Sequence, residues 1–221
     1  SKHKFHAIST DEVFGALDKN PNNKFNERTP YNPHSPYSAS KASSDFLVKA
    51  YHDTYGMNVT ISNCSNNYGP YQFPEQLIPL VINNIQEGKE IPIYGKGDNI
   101  RDWLYVDDHI DAIDLIFHKG KSGESYCIGG NCEKTNIEII DSLIISYVNL
   151  YDKRHKLTYE ESHNSINYLK SLKKFVSDRK GHDFRYAIDY SKIKNELGWE
   201  PKVSFKEGID KTVGWYIDHY Q

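Results

Sequence analysis

Cysteine is scarce here and badly spaced for any staple. The 221 residues hold only Cys64, Cys127 and Cys132, an odd number with no CxxC pair, which excludes a disulfide framework and a structural zinc site and leaves reduced thiols. Histidine supplies no metal site either. His52, His109 and His118 lack a ligand spacing with cysteines or carboxylates, and are expected to be structural or exposed. No apolar run reaches the roughly 18 to 20 residues of a membrane-spanning helix, and Ser1-Lys2-His3-Lys4-Phe5-His6 lacks the apolar stretch of a signal peptide. The expectation is a soluble, cytoplasmic protein with no membrane partner. An excess of one charge is missing too. With 27 Lys plus Arg against 30 Asp plus Glu, the net charge is −3, too little for gripping nucleic acid. Repeats and low-complexity tracts are absent. Nothing before the apolar run Phe5-His6-Ala7-Ile8 can form a first strand and helix, so this strand is expected to be an inner or edge member of a sheet, in a chain truncated at its N-terminus.

What is present suffices for one large or two small domains with a real core. Residues 18 to 36 carry four prolines and many asparagines and predict an ordered surface loop. Ser35 as N-cap and Pro36 at the first helical position open a helix over Pro36–Tyr55. Ala39, Ala42, Phe46, Leu47 and Ala50 recur in it at helical spacing, and Gly56 closes it. Val59–Ser62 predicts a strand, Asn66–Pro70 the loop at its end, and Gln76–Gln86 an amphipathic helix with an early turn or kink at Pro79. Ile91–Gly95 predicts a short edge strand, Trp103–Val106 another, Asp107 the cap of a helix Asp108–His118, and Ser125–Ile128 a further strand. Asn136–Leu150 is strongly helical in pattern. Residues 151 to 174, polar, lysine-rich and aperiodic, predict a mobile insertion with one short strand near Leu157. Ser191–Leu197 and Phe205–Tyr220 predict helices broken by Gly198-Trp199-Glu200-Pro201. Alternation of this kind makes an α/β protein with a mostly parallel sheet first and a mixed region after it.

Two constellations carry chemistry. Tyr37 and Lys41 stand at i and i+4, on one helical face, and an ammonium beside a phenol is expected to draw it toward its ionised form, a base at neutral pH. The alternative is a chance pair on a solvated helix. Asp11 and Glu12 follow a strand directly, at the carboxyl end where open α/β sheets place their sites. Two adjacent carboxyls in a partly buried cleft split their pKa values into an acid and a base; the alternative is a solvated turn or a helix cap. Thr10 offers a hydroxyl beside them.

Ser9-Thr10-Asp11-Glu12-Val13-Phe14-Gly15, Pro36-Tyr37-Ser38-Ala39-Ser40-Lys41, Asn66-Asn67-Tyr68-Gly69-Pro70-Tyr71-Gln72-Phe73-Pro74-Glu75, Arg101-Asp102-Trp103 and Asp178-Arg179 with Gly181-His182-Asp183 and Arg185-Tyr186-Ala187-Ile188-Asp189 occur together and in order. The set closely resembles the nucleoside-diphosphate-glucose 4,6-dehydratases, and within them the branch acting on dTDP-glucose, in the extended short-chain dehydrogenase/reductase family. The resemblance covers essentially the whole chain. It implies a partial Rossmann-type doubly wound sheet, lacking its first strands, over residues 1–70. Residues 71–221 would be mainly a smaller mixed α/β nucleotide-sugar region, with 103–128 returning to the Rossmann sheet. It also implies NAD as cofactor, held by Tyr37, Lys41, Ser9 and Asn67, and conversion of a nucleotide sugar to its 4-keto-6-deoxy form in deoxysugar (rhamnose-type) biosynthesis. Tyr37 with Lys41 would take the 4-hydroxyl proton, Thr10 would bind that hydroxyl, Glu12 would take the C5 proton and Asp11 would protonate the leaving 6-hydroxyl.

Substrate contacts are implied at Asn67, Gln76, Leu77, Pro92, Tyr94, Arg101, Cys132, Arg179 and His182, with Arg101 and Arg179 suited to the diphosphate. A homodimer is implied through the Tyr37 helix, on the face of Phe46 and Ala50. Three residues depart from the family pattern: Gln76 where Lys is usual, Cys132 where Asn is common, and Lys180 in place of Pro. The Gly-rich strand, turn and helix that hold the NAD pyrophosphate in this family are not in the chain, so the isolated 221 residues are expected to be inactive. A UDP-glucose dehydratase or a sugar epimerase is the enzyme alternative, although an epimerase has no use for Asp11 and Glu12. A non-catalytic nucleotide-sugar-binding or dimerisation module is the alternative of another class.

Overall fold

A computed structural model describes residues 3–178 and 181–219. Its elements in chain order are β1 (Phe5–Thr10), a 3-10 turn (Asp11–Phe14), α1 (Pro36–Tyr55), β2 (Val59–Cys64), β3 (Asn66–Tyr68), α2 (Leu77–Glu87), β4 (Ile91–Tyr94) and β5 (Ile100–Tyr105). There follow α3 (Val106–Lys119), β6 (Ser125–Ile128), β7 (Glu133–Thr135), α4 (Asn136–His155), α5 (Tyr159–Ser171), β8 (Lys173–Val176), α6 (Ser191–Leu197) and α7 (Phe205–His219). The chain divides into two compact units: Ser1–Asn67 with Ile100–Glu133 and Gly181–Lys202, and Tyr68–Asn99 with Lys134–Lys180 and Val203–Gln221.

The first unit is built on a parallel sheet in the order β1-β2-β6. β1 runs beside β2 from Phe5↔Val59 to Thr10↔Cys64, and β2 beside β6 from Ile61↔Ser125 to Cys64↔Ile128. Neighbouring side chains of a strand point to opposite faces, so Cys127 joins a core of Val13, Phe14, Phe25, Ala42, Tyr186 and Ile188. Tyr126 and Ile128 join another, with Leu104, Ala112, Ile116, Ile193 and Trp199. α1 has the expected bounds: Ser35 and Ser38 form a reciprocal capping box, and Gly56 ends the helix at φ 63°, the left-handed region glycine enters at little steric expense. Its buried positions are Ser38, Ala42 and Asp45, while Phe46 and Leu47 are 59% and 62% exposed. The large apolar side chains Phe46 and Leu47 of this helix therefore face outward.

The proline-rich segment 18 to 36 is ordered from below by Arg185. This fully buried guanidinium binds Glu133 through Nε and Nη2 at 2.6 and 2.8 Å. Its Nη1 donates to the carbonyls of Asn20 and Asn23 at 3.0 and 2.9 Å, and Nη2 reaches that of Pro21 at 3.3 Å. Phe25 is then fixed by backbone bonds to Ala187 and Asp189.

In the second unit α4 packs against α2, α5 and α7, burying Ile78, Val81, Ile82, Ile85, Ile139, Ile140, Leu143, Ile144, Ile209 and Val213. β4 pairs with β8 in parallel. Pro79 lies in the first turn of α2, where it breaks no intrahelical bond.

Two expectations are corrected. Residues 151 to 174 are not an aperiodic insertion with a strand near Leu157: α4 continues to His155, α5 occupies Tyr159–Ser171, and the strand is Lys173–Val176. Thr158 and Glu161 cap α5 reciprocally, which starts a helix whose polar surface hides its period. Asp107 is not the cap of α3, which starts at Val106 after Tyr105. Instead Asp107 and Asp108 lie in its first turn, where negative charge suits the helix dipole, and Asp108 accepts the Lys202 N–H at 3.1 Å.

Arg185→Met leaves Glu133 and the carbonyls of Asp18, Asn20, Pro21 and Asn23 without their donor. A loss of about 3–5 kcal/mol in unfolding free energy is expected, since one partner of a buried ion pair is removed, and urea denaturation measures it. Arg185→Lys should recover only part, because an ammonium cannot make the bidentate contact. A change below about 1 kcal/mol in the Met variant would contradict this account of how the loop is held.

Candidate active site

β1 delivers its last residue, Thr10, into the 3-10 turn that carries both carboxyls. Thr10 caps that turn: its Oγ1 accepts the Glu12 N–H at 3.2 Å and donates to Asp11 Oδ1 at 3.3 Å. The turn closes at Gly15, φ 84°, where a Cβ would sit 2.5 Å from the Asn32 carbonyl oxygen, so no other residue fits there without displacing backbone. The solvated-turn alternative for Asp11 is thereby excluded, since its side chain is buried at 3% exposure. Burial first, and then the neighbouring Glu12 carboxylate, push its pKa up to about 8, so at pH 7 it keeps its proton. Its Oδ2 is buried without a hydrogen-bond partner. A protonated carboxyl with one uncommitted oxygen is equipped to give a proton to a group placed against it.

α1 brings Tyr37 and Lys41 to this end of the sheet. Lys41 Nζ donates to the Ile8 carbonyl at 2.8 Å, which spends one of the three donors of an ammonium. The expectation that Lys41 draws the phenol toward ionisation needs correction: burial, and then the charges of Glu12, Cys64 and Asp11, raise the Tyr37 pKa above its ordinary value. Helical spacing brings in Lys41, but the fold adds partial burial and the Glu12 and Asp11 carboxyls, and the net direction is upward. Cys64, at the end of β2, is likewise pushed up to about 12 by burial and by Asp11, so it stays a thiol.

Ser9, expected at the cofactor, is buried and donates its hydroxyl hydrogen to Asp45 Oδ2 at 2.6 Å. Asn67 Nδ2 donates to the Ser65 carbonyl at 3.1 Å. Arg101, expected at a diphosphate, is buried, donates to the carbonyls of Ile100, Asp183 and Phe184, and lies over the Tyr186 ring at 4.4 Å. Its charge lowers the Asp11 pKa against the larger effect of burial. Cys132 meets Asp102 through its backbone N–H at 2.8 Å, and His182 is half-buried beside Asp183. Gln76, Leu77, Pro92 and Tyr94 belong to the second unit, Gln76 exposed and the other three half-buried. Arg179, like Lys180, lies outside the described residues.

Sequence reasoning missed the residues underneath. Asp45 and Asn63 are buried beneath Ser9 and Thr10. Asp102 is pushed up to about 6 by burial, against the N–H of Cys132. The signal for Asp45 was available, since it continues the i, i+4 series of Tyr37 and Lys41. Among the described residues no helix is long and apolar enough to cross a membrane, and no group of three or more His, Cys, Asp or Glu is placed to hold a metal ion. Tyr37 and Lys41 are the residues that the resemblance assigns to the nicotinamide-ribose end of a dinucleotide, and the Lys41 ammonium carries two donors beyond the one given to Ile8.

The profile of a family described as GDP-mannose 4,6 dehydratase matches residues 1–212. Among curated relatives, dTDP-glucose 4,6-dehydratase of Haemophilus influenzae is 51% identical over 214 residues, which is 97% of this chain and 61% of that protein. A protein of the same name from Escherichia coli is 53% identical over 221 residues, covering 97% of this chain and 58% of its own length. Among solved structures, dTDP-glucose 4,6-dehydratase from Bacillus anthracis in complex with NAD superposes with a TM-score of 0.84 at 47% identity, covering 98% of this chain and 62% of that one. The chain thus spans about three fifths of the length of such relatives. With the sheet order, the Tyr37–Lys41 pair and the Asp11–Glu12 turn in place, the match over 212 residues assigns the chain to the GDP-mannose 4,6 dehydratase family.

Proposed function

We propose that this chain carries the acid–base centre of an NAD-dependent nucleotide-sugar 4,6-dehydratase whose substrate is dTDP-glucose. The observation that carries the reading is Asp11: buried, with a pKa of about 8 and a free Oδ2, directly beside Glu12. An enzyme that only oxidises and reduces a sugar hydroxyl has no task for a second acid. Expulsion of a hydroxyl as water needs one. The relatives named dTDP-glucose 4,6-dehydratase support the choice of sugar nucleotide.

NAD, when bound, would supply the hydride acceptor for C4 and the hydride returned to C6, and Lys41 and Tyr37 would hold its nicotinamide ribose end. Tyr37 takes the 4-hydroxyl proton, assisted by Thr10, whose hydroxyl stands at the mouth of the turn. Protonated Asp11 matters to this step as well, because it removes one of the negative charges that would keep the phenol neutral. Glu12 then takes the C5 proton, made acidic by the adjacent ketone, while Asp11 gives its proton to the departing 6-hydroxyl. Glu12 returns a proton to C5 as C6 is reduced, and the proton gained at Tyr37 balances the one spent by Asp11. The exposed apolar side chains of α1, Phe46, Leu47 and Tyr51 among them, fit a homodimer formed through the face of Phe46 and Ala50.

In the full-length protein, Glu12→Gln should still let dTDP-glucose reduce bound NAD, followed at 340 nm, while exchange of the C5 hydrogen with deuterated water stops. Undiminished C5 exchange would remove Glu12 from this role. Asp11→Asn should abolish water loss and stabilise the fold at neutral pH. The sign follows from linkage: a native pKa of about 8 against 3.8 for an ordinary aspartate means the native state binds more protons between those values, so wild-type stability falls as pH rises through them. The gap in melting temperature between Asp11→Asn and wild type should therefore widen from pH 4 to pH 8, and a constant gap would contradict a buried, neutral Asp11. Phe46→Glu places a charge in the proposed interface at several kcal/mol if unpaired; sedimentation velocity should show monomers where the wild type is dimeric.

A further inference from the structure

α1 carries Tyr37 and Lys41, and its buried residues are Ser38, Ala42 and Asp45. Asp45 is 1% exposed. Its Oδ2 accepts from three donors on three different segments: the Ser9 hydroxyl of β1 at 2.6 Å, the Tyr31 hydroxyl of the proline-rich loop at 2.9 Å, and the Asn63 amide of β2 at 3.4 Å. The same Asn63 amide lies 3.3 Å from the Thr10 carbonyl oxygen. Burial of a charge on this scale is tolerated only when donors of this number surround it. One turn earlier on the same helical face, Lys41 grips the carbonyl of Ile8, the residue before Ser9.

We propose that Asp45 is a positioning residue of the acid–base centre: its buried carboxylate ties Ser9, Tyr31 and Asn63 to α1 and so fixes where Tyr37 and Lys41 stand relative to Thr10, Asp11 and Glu12. This rests on the proposed dehydratase function. Asp45 touches neither sugar nor cofactor and acts through the register of helix against strand. Misplacement of reacting groups by about 1 Å can lower a rate by about a hundredfold. The predicted substrate contacts in the second unit, Gln76, Leu77, Pro92 and Tyr94, belong to other segments, so binding should be spared where turnover is not.

The test uses the full-length, NAD-loaded protein. Asp45→Asn keeps the shape and removes the charge. It should melt cooperatively, bind NAD in full stoichiometry, and show kcat with dTDP-glucose lowered about 10- to 100-fold while KM changes less than threefold. Ser9→Ala, which removes one donor and leaves the carboxylate, should lower kcat in the same direction by a smaller factor, and decides the matter if Asp45→Asn does not fold. A kcat within twofold of wild type in both variants overturns the proposal, as does a fall in kcat that only tracks the loss of NAD-binding sites, which marks a structural role. A wild-type protein that neither reduces NAD with dTDP-glucose nor forms a 4-keto-6-deoxy sugar overturns the dehydratase function itself, a different result from an active wild type with an indifferent Asp45.

Discussion

Helix α1 is held to the parallel sheet by polar contacts in an order set by the strand. Ile8 offers its carbonyl to Lys41 and Ser9 its hydroxyl to Asp45. The next residue, Thr10, caps the turn bearing Asp11 and Glu12. Apolar packing is roughly proportional to area and tolerant of sliding, whereas a hydrogen bond weakens within a few tenths of an ångström and a few tens of degrees. A helix docked in this way has one register. The arrangement also leaves the large apolar side chains Phe46 and Leu47 of α1 on the outside, so the same element is fixed inwardly by directional bonds and offers area outwardly.

The electrostatics of the centre follow from that register. Asp11 lies too deep to ionise easily, and Glu12 beside it adds to the effect. Partial burial, and then Glu12, Cys64 and Asp11, work against ionisation of Tyr37. A proton on Asp11 relieves part of that pressure, so the two groups are linked: protonation of Asp11 favours ionisation of Tyr37.

Local chemistry was readable from the residues alone where it is written within a few positions. Ser35-Pro36 and Gly56 bounded α1 to the residue, and the apolar run before Asp11 and Glu12 marked the strand that became β1. α5 escaped because its residues are mostly polar and its start depends on a two-residue reciprocal cap, Thr158 with Glu161, not on a stripe. The state of Tyr37 escaped for another reason. The i+4 rule sees Lys41, but burial and the carboxylates across the turn are products of the fold. Arg185 stood in a recognised stretch, yet its partners are mostly backbone carbonyls, which carry no side-chain signature.

Those partners have a bearing on how the chain reaches its native state. Arg185 meets Asn20, Asn23 and Pro21 across sequence separations of 165, 162 and 164 residues. Contacts of such long range close late, because the entropy of joining distant segments must be met before they contribute. On a ribosome adding about 5–20 residues each second, the proline-rich loop therefore waits several seconds to a half-minute between its own synthesis and the arrival of the guanidinium that anchors it. Over that interval β1, α1 and β2 can form by neighbouring contacts, while Tyr31, the loop residue bonded to Asp45, belongs to a segment not yet tied down. The Asp45 cluster thus draws on segments that gain their anchors at different times: the loop that supplies Tyr31 is tied down by Arg185 only after β1, α1 and β2 have been made.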